Sequence, residues 1–492
     1  MPCETHRRLA IRLQPVPKQD PQVRIHNWDE TFAGYNVEAA KVEAARCIQC
    51  PTAPCMDACP VGNDIPGAFL LLEQGDVIGA ANIFRETNNL PDMCGRLCPQ
   101  ERLCEGSCVV AFAIRPDGLD PEPAVAIGKL ESFVTDHQRT SVGLPMPELP
   151  APTGRRVAVI GAGPAGLAAA EELAKKGHEV TLFDAWSKAG GVLLYGIPNF
   201  KMRKEILDDK LDYLWKLGIT FVGNTYIGRD ITIDELFEQG YHAVFLGHGA
   251  SLGNQLDLPG ADLPGVLMAT EFLVRGNLAP ELLPEGLREP LPAAERVLVI
   301  GGGDTSMDCV RTAVRLGAKE VSCVYRRTEA EQTGREEERV HAREEGVRFE
   351  YLASPLRFEA GPDGRVERVH FARMALGEPD ESGRRRPVPT GEEFVVEADL
   401  VAIAIGYGAD EQVARTTDGI QTSRSLVEVD PETFETTRPG VFAGGDCVNG
   451  ADLVVTALAD GRRAADTIHA YLENLPGERP TAITGVTPRR SG

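Results

Sequence analysis

The sequence predicts an N-terminal α-helical, cysteine-bearing domain followed by two α/β dinucleotide-binding domains of the Rossmann type, and three observations predict it. Eight of the twelve cysteines fall between Cys47 and Cys108. A strand, glycine turn, helix and strand follow one another from Arg155, and the same succession recurs from Arg296. Two such units this far apart imply two separate domains rather than a tandem array.

At 492 residues the chain is too long for one ordinary core and suits two to four domains. Its formal net charge of -22 argues against general affinity for nucleic acid or an anionic membrane, so an anionic cofactor needs dedicated donors. The opening MPCETHRRLAIRLQPVPK has no uninterrupted apolar stretch, and no later run approaches bilayer-spanning length. A cytoplasmic location is expected. Clustered thiols in a reducing compartment point to metal rather than disulfides.

Residues 1–150 read as helices joined by loops, since NVEAAKVEAARCI and PGAFLLLEQGDVIGAANIFRET carry apolar residues at helical spacing. The proline-rich SVGLPMPELPAPTGRR then favours an extended connection. Residues 151–290 form the first part of one dinucleotide domain, 291–405 a second domain, and 406–492 the remainder of the first. Alternation of apolar and polar residues from Phe349 to Glu397 predicts an antiparallel meander attached to the second unit.

Gly161, Gly163 and Gly166 form G-x-G-x-x-G between the strand VAVI and the helix LAAAEELAKKG. The first glycine permits the tight turn, the second admits a pyrophosphate, and the third allows close helix–strand packing. Pro164 and Ala165 complete the turn, whose helix N-terminus faces phosphate charge. Asp184 ends the next strand, where a carboxylate accepts from ribose hydroxyls. Gly191 is grouped with these cofactor contacts.

From Gly440 the sequence GVFAGGDCVNGADLVVTALADG is similar to the second flavin motif of two-dinucleotide-domain flavoprotein reductases. The resemblance implies FAD, with Asp446 on the ribityl chain. Gly445, Asp446 and Thr456 join the flavin set, and a helix beginning near Leu453 to Thr456 would favour reduced anionic flavin by its dipole.

Gly301, Gly302, Gly303 and Ser306 open the second turn. Tyr325, Arg326 and Arg327 stand where an NAD site usually has an acid, and arginines neutralise a 2′-phosphate, so NADPH is expected. The alternative is that both arginines pair with the acidic EAEQTGREEER that follows. Asp304 and Thr305 either contact the cofactor or support the loop.

Cys47, Cys50, Cys55 and Cys59 read C-x2-C-x4-C-x3-C-P, and Cys94, Cys98, Cys104 and Cys108 follow with three, five and three residues between them. Such thiolates suit zinc or iron–sulfur, and flavin domains downstream give electron carriers a use that zinc cannot meet. No C-x-x-C occurs beyond this block, which disfavours a disulfide reductase, and Cys309 and Cys323 fall on opposite elements.

CIQCPTAPCMDACPVGNDIP, ETNNLPDMCGRLCPQERLCEGSC and AVAIGKLESF together resemble the N-terminal domain of the glutamate synthase small-subunit family. That domain is shared with the bifurcating ferredoxin:NADP oxidoreductase large subunit and with dihydropyrimidine dehydrogenase. The resemblance implies two 4Fe-4S clusters with interleaved ligands: one on Cys47, Cys50, Cys55 and Cys108, the other on Cys59, Cys98 and Cys104. It further implies Glu131 as fourth ligand of the second cluster, with Cys94 the rival. Relatives often have Met-Pro where this chain has Gln332 and Thr333. The expected activity is oxidation of NADPH at FAD, with electrons passed through the clusters to a larger FMN-containing glutamate-forming subunit. A ferredoxin:NADP or pyrimidine-reducing role is the alternative, and a non-catalytic scaffold a third. No catalytic acid or base is required of a side chain.

Overall fold

A computed structural model describes residues 4–115, 117–379, 383 and 385–476. The chain forms two units, one of Met1–Val142, Gly190–Asp208 and Ser251–Gly408, the other of Gly143–Ala189, Asp209–Ala250 and Ala409–Gly492.

In the first unit the cysteine-bearing segment is helical. The long apolar stretch after Asp64 is two helices, Ile65–Gln74 and Val77–Thr87, because Gly75 turns left-handed at φ 94° and Asp76 caps the second through Gly79 N at 2.8 Å. Their apolar faces, including Phe69, Leu72 and Phe84, bury against Leu130 and Val134 of the helix Ile127–Ser141.

The same unit holds a five-stranded parallel sheet, ordered Val266–Met268, Leu400–Ile403, Arg296–Ile300, Glu320–Tyr325, Arg348–Tyr351. Phe349 to Tyr351 therefore belongs to the parallel sheet, a correction to the expected start of the meander. Leu352, at φ 55°, turns the chain out of that sheet. The antiparallel part comprises Ala353–Ala360, Val366–Pro379 and Arg385–Glu397. Alternation alone does not distinguish an edge strand of either sheet.

A buried charge network ties the N-terminal segment to this domain. Arg311, fully buried, donates to Glu338 at 2.5 Å, to Glu345 at 2.9 Å and to Thr31 Oγ1 at 2.9 Å, with the Phe200 ring 4.4 Å from its guanidinium. Arg24, also fully buried, reaches Glu345 at 2.7 Å. Arg311 and Arg315 together hold the Glu345 carboxyl down at about 2, against desolvation by burial that pushes it up. Since the folded value lies below the unfolded one, this contribution is full above the ordinary glutamate range and fades as pH falls toward about 2. Removing one member of a buried ion network leaves its partners uncompensated, so Arg311→Ala is expected to cost ~3–5 kcal/mol, read as a lowered midpoint of thermal or denaturant unfolding. A midpoint unchanged from the parent would show the network to be energetically idle.

The second unit holds another five-stranded parallel sheet, ordered Val441–Ala443, Ala243–Leu246, Arg156–Ile160, Glu179–Phe183, Thr220–Val222. In both sheets the strand that leads into a glycine turn is central, with the following strand on one side and a later one on the other. This is the switch point at which α/β sheets bind nucleotides.

Candidate functional site

The first glycine turn is set by close approach. Gly161 has φ +96°, and a Cβ there would lie 2.4 Å from the Gly247 carbonyl oxygen. A Cβ on Gly166 would lie 1.8 Å from the Gly161 oxygen. Gly163 differs: its φ of -84° and ψ of -173° are extended backbone open to any residue, and it caps the helix Pro164–Lys175. Asp184 is half-buried, and its two oxygens accept from Ala162 N at 2.7 Å and Trp186 N at 2.8 Å, fixing the turn from the end of the adjacent strand. Burial raises its carboxyl.

The Gly-Gly-Asp motif meets this turn. A Cβ on Gly445 would come 2.9 Å from Ala165 Cβ, and one on Gly461 would come 2.0 Å from the Ala165 oxygen, so the helix Val454–Asn474 lies directly on the helix Pro164–Lys175. Burial, with Asp452 and Asp460 adding repulsion, pushes the Asp446 carboxyl up to about 6. Asp460, which the sequence reading missed, accepts from Gly445 N at 3.0 Å and from Asn449 at 2.7 Å. Thr456 closes the helix start, its hydroxyl accepting from Leu453 N at 3.2 Å and bonding Asp452 at 2.9 Å. In the first unit, Gly191 has φ 51° and ψ -132°, a conformation L residues rarely adopt, and caps the short helix Val192–Tyr195.

At the second turn a Cβ on Gly301 would lie 2.1 Å from the Ala404 oxygen, and one on Gly302 would strike the Tyr325 ring at 2.5 Å. Gly303 caps the helix Asp304–Arg315, whose buried Ser306 serves in the third small position. Asp304 supports the loop, accepting from Arg335 N at 3.0 Å, while Gly334 N donates to the Gly302 oxygen at 3.0 Å. Thr305 is the second residue of that helix. Within that loop Gln332 is buried and accepts from the Tyr351 hydroxyl at 3.2 Å. The two arginines part company: Arg326 is exposed, whereas Arg327 is buried and donates through Nε to the Arg385 carbonyl at 2.8 Å.

The structure gathers Cys47, Cys50, Cys55 and Cys108 around one cavity, walled also by Ile65, Phe69 and Ile127. Arg8 pins its rim through the carbonyls of Ala45 and Cys47 at 3.1 and 3.0 Å. Burial pushes Cys47 up to about 11 and Cys55 to about 12, with neighbouring thiols, Cys108 and Cys50 among them, adding repulsion. Burial raises the Cys59 and Cys104 thiols, and Cys94 together with burial raises Cys98, with Glu131 adding repulsion to all three. Glu131 is buried, and desolvation raises its carboxyl to about 8. Its Oε1 accepts from Asn63 Nδ2 at 3.1 Å and Asn88 Nδ2 at 3.2 Å, two residues the sequence reading missed although both lie inside the motifs it used.

Bare thiolates are disfavoured in both groups, a cost that a cationic iron–sulfur core relieves, so the donors fit such a group. Among the described residues no three His, Cys, Asp or Glu side chains are drawn together as a single ion would hold them. Among the described residues every cysteine is free. A separate cavity of about 560 Å³ is lined by Glu30, Arg96, Lys129 and Lys201, whose charges are met by Arg96 with Glu30, Lys129 with Glu337 and Lys201 with Asp308.

Comparison with known proteins defines the class first. Residues 155–461 match the pyridine nucleotide-disulphide oxidoreductase family, and residues 24–142 match dihydropyrimidine dehydrogenase domain II, 4Fe-4S cluster. FprA of Mycobacterium tuberculosis, solved in complex with NADPH, shares the fold at TM-score 0.56 and 22% identity, over 65% of this chain and 85% of that one. The two family matches describe a pyridine-nucleotide oxidoreductase with a 4Fe-4S domain. The glutamate synthase (NADPH) small chain of Escherichia coli is 40% identical over 94% of this chain, which covers 98% of that protein. The putative oxidoreductase AegA of Escherichia coli is 40% identical over 92% of this chain, which covers 68% of that protein. The chain belongs to the glutamate synthase small-chain family. Among the described residues no helix is long and apolar enough to cross a membrane.

Proposed function

We propose that this chain is the NADPH-oxidising, electron-input subunit of a cytoplasmic glutamate synthase, with residues 1–150 carrying two 4Fe-4S clusters, the sheet built on Arg156–Ile160 carrying FAD, and the sheet built on Arg296–Ile300, which includes Val266–Met268 from the stretch expected to belong to the first, carrying NADPH. When bound, the flavin accepts a hydride and the clusters carry its electrons singly to the acceptor. The chain's own residues bind and orient. Gly161, Gly163, Pro164, Ala165, Gly166, Asp184, Gly445, Asp446 and Thr456 hold the flavin dinucleotide. Gly301, Gly303, Asp304, Thr305 and Arg326 hold the nicotinamide dinucleotide, with Arg327 steadying the strand beneath.

The observation that carries this reading is the division of the thiols into two groups in the same chain as the two glycine turns: Cys47, Cys50, Cys55 and Cys108 around one cavity, Cys59, Cys98 and Cys104 beside Glu131. The test is purification with native partners and identification of the large chain. A glutaminase-containing FMN protein is the expected companion. Recovery with a ferredoxin- or pyrimidine-reducing chain would replace the proposed acceptor, and an isolated chain unable to reduce a dye with NADPH would support the scaffold reading.

The nucleotide preference has its own test. Arg326→Ala should raise the KM for NADPH by roughly ten- to a hundredfold, the ~1.5–3 kcal/mol of a charge-assisted contact, with little change for NADH. Arg327→Ala, removing a donor already spent on the Arg385 carbonyl, should weaken both nucleotides alike. Equal losses for both nucleotides in Arg326→Ala would count against a 2′-phosphate contact.

A further inference from the structure

Asn88 stands between the two rival ligands of the second cluster. Its Oδ1 accepts from Leu90 N at 2.9 Å and from Cys94 Sγ at 3.7 Å, while its Nδ2 donates to Glu131 Oε1 at 3.2 Å. The direction of this amide is not arbitrary. A backbone N–H can only donate, so the bond from Leu90 fixes which end of the carboxamide is oxygen. The amide end is thereby turned to Glu131, and the carbonyl end to Cys94.

We propose that Asn88 is a positioning residue that selects Glu131 over Cys94 as fourth ligand of the second cluster, assisted by Asn63. The inference rests on the ligand reading given above and adds what enforces it. A ligating sulfur has given up its proton and would face the Asn88 oxygen with lone pair against lone pair; a thiol satisfies that oxygen by donating to it. A carboxylate, in turn, is what two amide donors converging on one oxygen favour. Asn63 donates to the same Oε1 at 3.1 Å, its own Oδ1 fixed by the Thr87 hydroxyl at 2.9 Å. With both donors on Oε1, ligation would fall to Oε2. Asn63, Asn88 and Cys94 are all buried, so water does not replace these bonds.

Asn88→Ser is the probe, because a serine hydroxyl can accept from Leu90 N and preserve the turn yet is too short to reach Glu131 or Cys94. The full chain is purified anaerobically, reduced, and examined by electron paramagnetic resonance together with iron content. Asn88→Ser should change the signal of one cluster as Cys94 enters, and the double variant Asn88→Ser/Cys94→Ala should lose that changed signal while Cys94→Ala alone keeps the parent spectrum. A parent spectrum in Asn88→Ser, or a changed signal that persists without Cys94, would overturn the proposal. Asn63→Ala leaves the Leu90 turn untouched and should alter the same cluster only; an unaltered spectrum there removes Asn63 from the role. Glu131→Ala with both clusters unchanged would overturn the ligand reading itself, a result separate from the others.

Discussion

Gly163→Val is expected to yield a folded, iron-containing protein with essentially no FAD. The backbone at Gly163 is extended, at φ -84° and ψ -173°, a conformation that valine adopts without backbone strain. Its neighbours offer no such clean test, because a Cβ at Gly161 or Gly166 would collide with backbone oxygens at 2.4 and 1.8 Å and disturb the fold itself. Loss of FAD in the valine variant would therefore report the pyrophosphate's place rather than a misfolded turn. Visible absorption decides it: the flavin bands should vanish while the broad iron–sulfur absorption persists. Stoichiometric FAD would remove Gly163 from the site.

Much of this arrangement was legible in the sequence because its signals are local and periodic. Apolar runs ending in glycine announce the central strands, and Gly440 to Asp446 announces the return of the chain to the sheet built on Arg156–Ile160. The helix predicted to begin near Leu453 to Thr456 begins at Val454. What was illegible depends on tertiary partners. Arg24, Arg46 and Arg311 look like surface charge in the sequence and are fully buried, because carboxylates meet them, from distant segments for Arg24 and Arg311 and from Glu43, three residues back, for Arg46. Adjacent Arg326 and Arg327 looked equivalent, yet in the bend that follows the strand Glu320–Tyr325 one is exposed where the other is buried and spent on the Arg385 carbonyl. Asn63 and Asn88 carried no spacing signal of their own; only the position of Glu131, more than forty residues beyond either, gives them meaning.

Cys59→Ala should abolish the same cluster as Cys98→Ala and spare the one lost in Cys47→Ala. In the sequence Cys59 closes the run that contains Cys47, Cys50 and Cys55, so a reader of spacing alone would assign all four to one site. Space divides them otherwise. Cys47 and Cys55 share their cavity and their mutual repulsion with Cys108, whereas Cys59 is perturbed by Glu131 and Cys94. The short helix Pro54–Asp57 supplies the division, since it places Cys55 near its start and leaves Cys59 beyond its end, where backbone N–H groups of Val61 and Asn63 face the sulfur. Each single substitution removes a thiolate that the iron core requires, so about half the iron should go in each case, with a distinct reduced-state resonance signal remaining. Iron and sulfide analysis with that signal makes the comparison. If Cys47→Ala and Cys59→Ala lose the same signal and Cys98→Ala loses the other, the runs do not interleave, and the second cluster would have to be completed from Cys94, Cys98, Cys104 and Cys108.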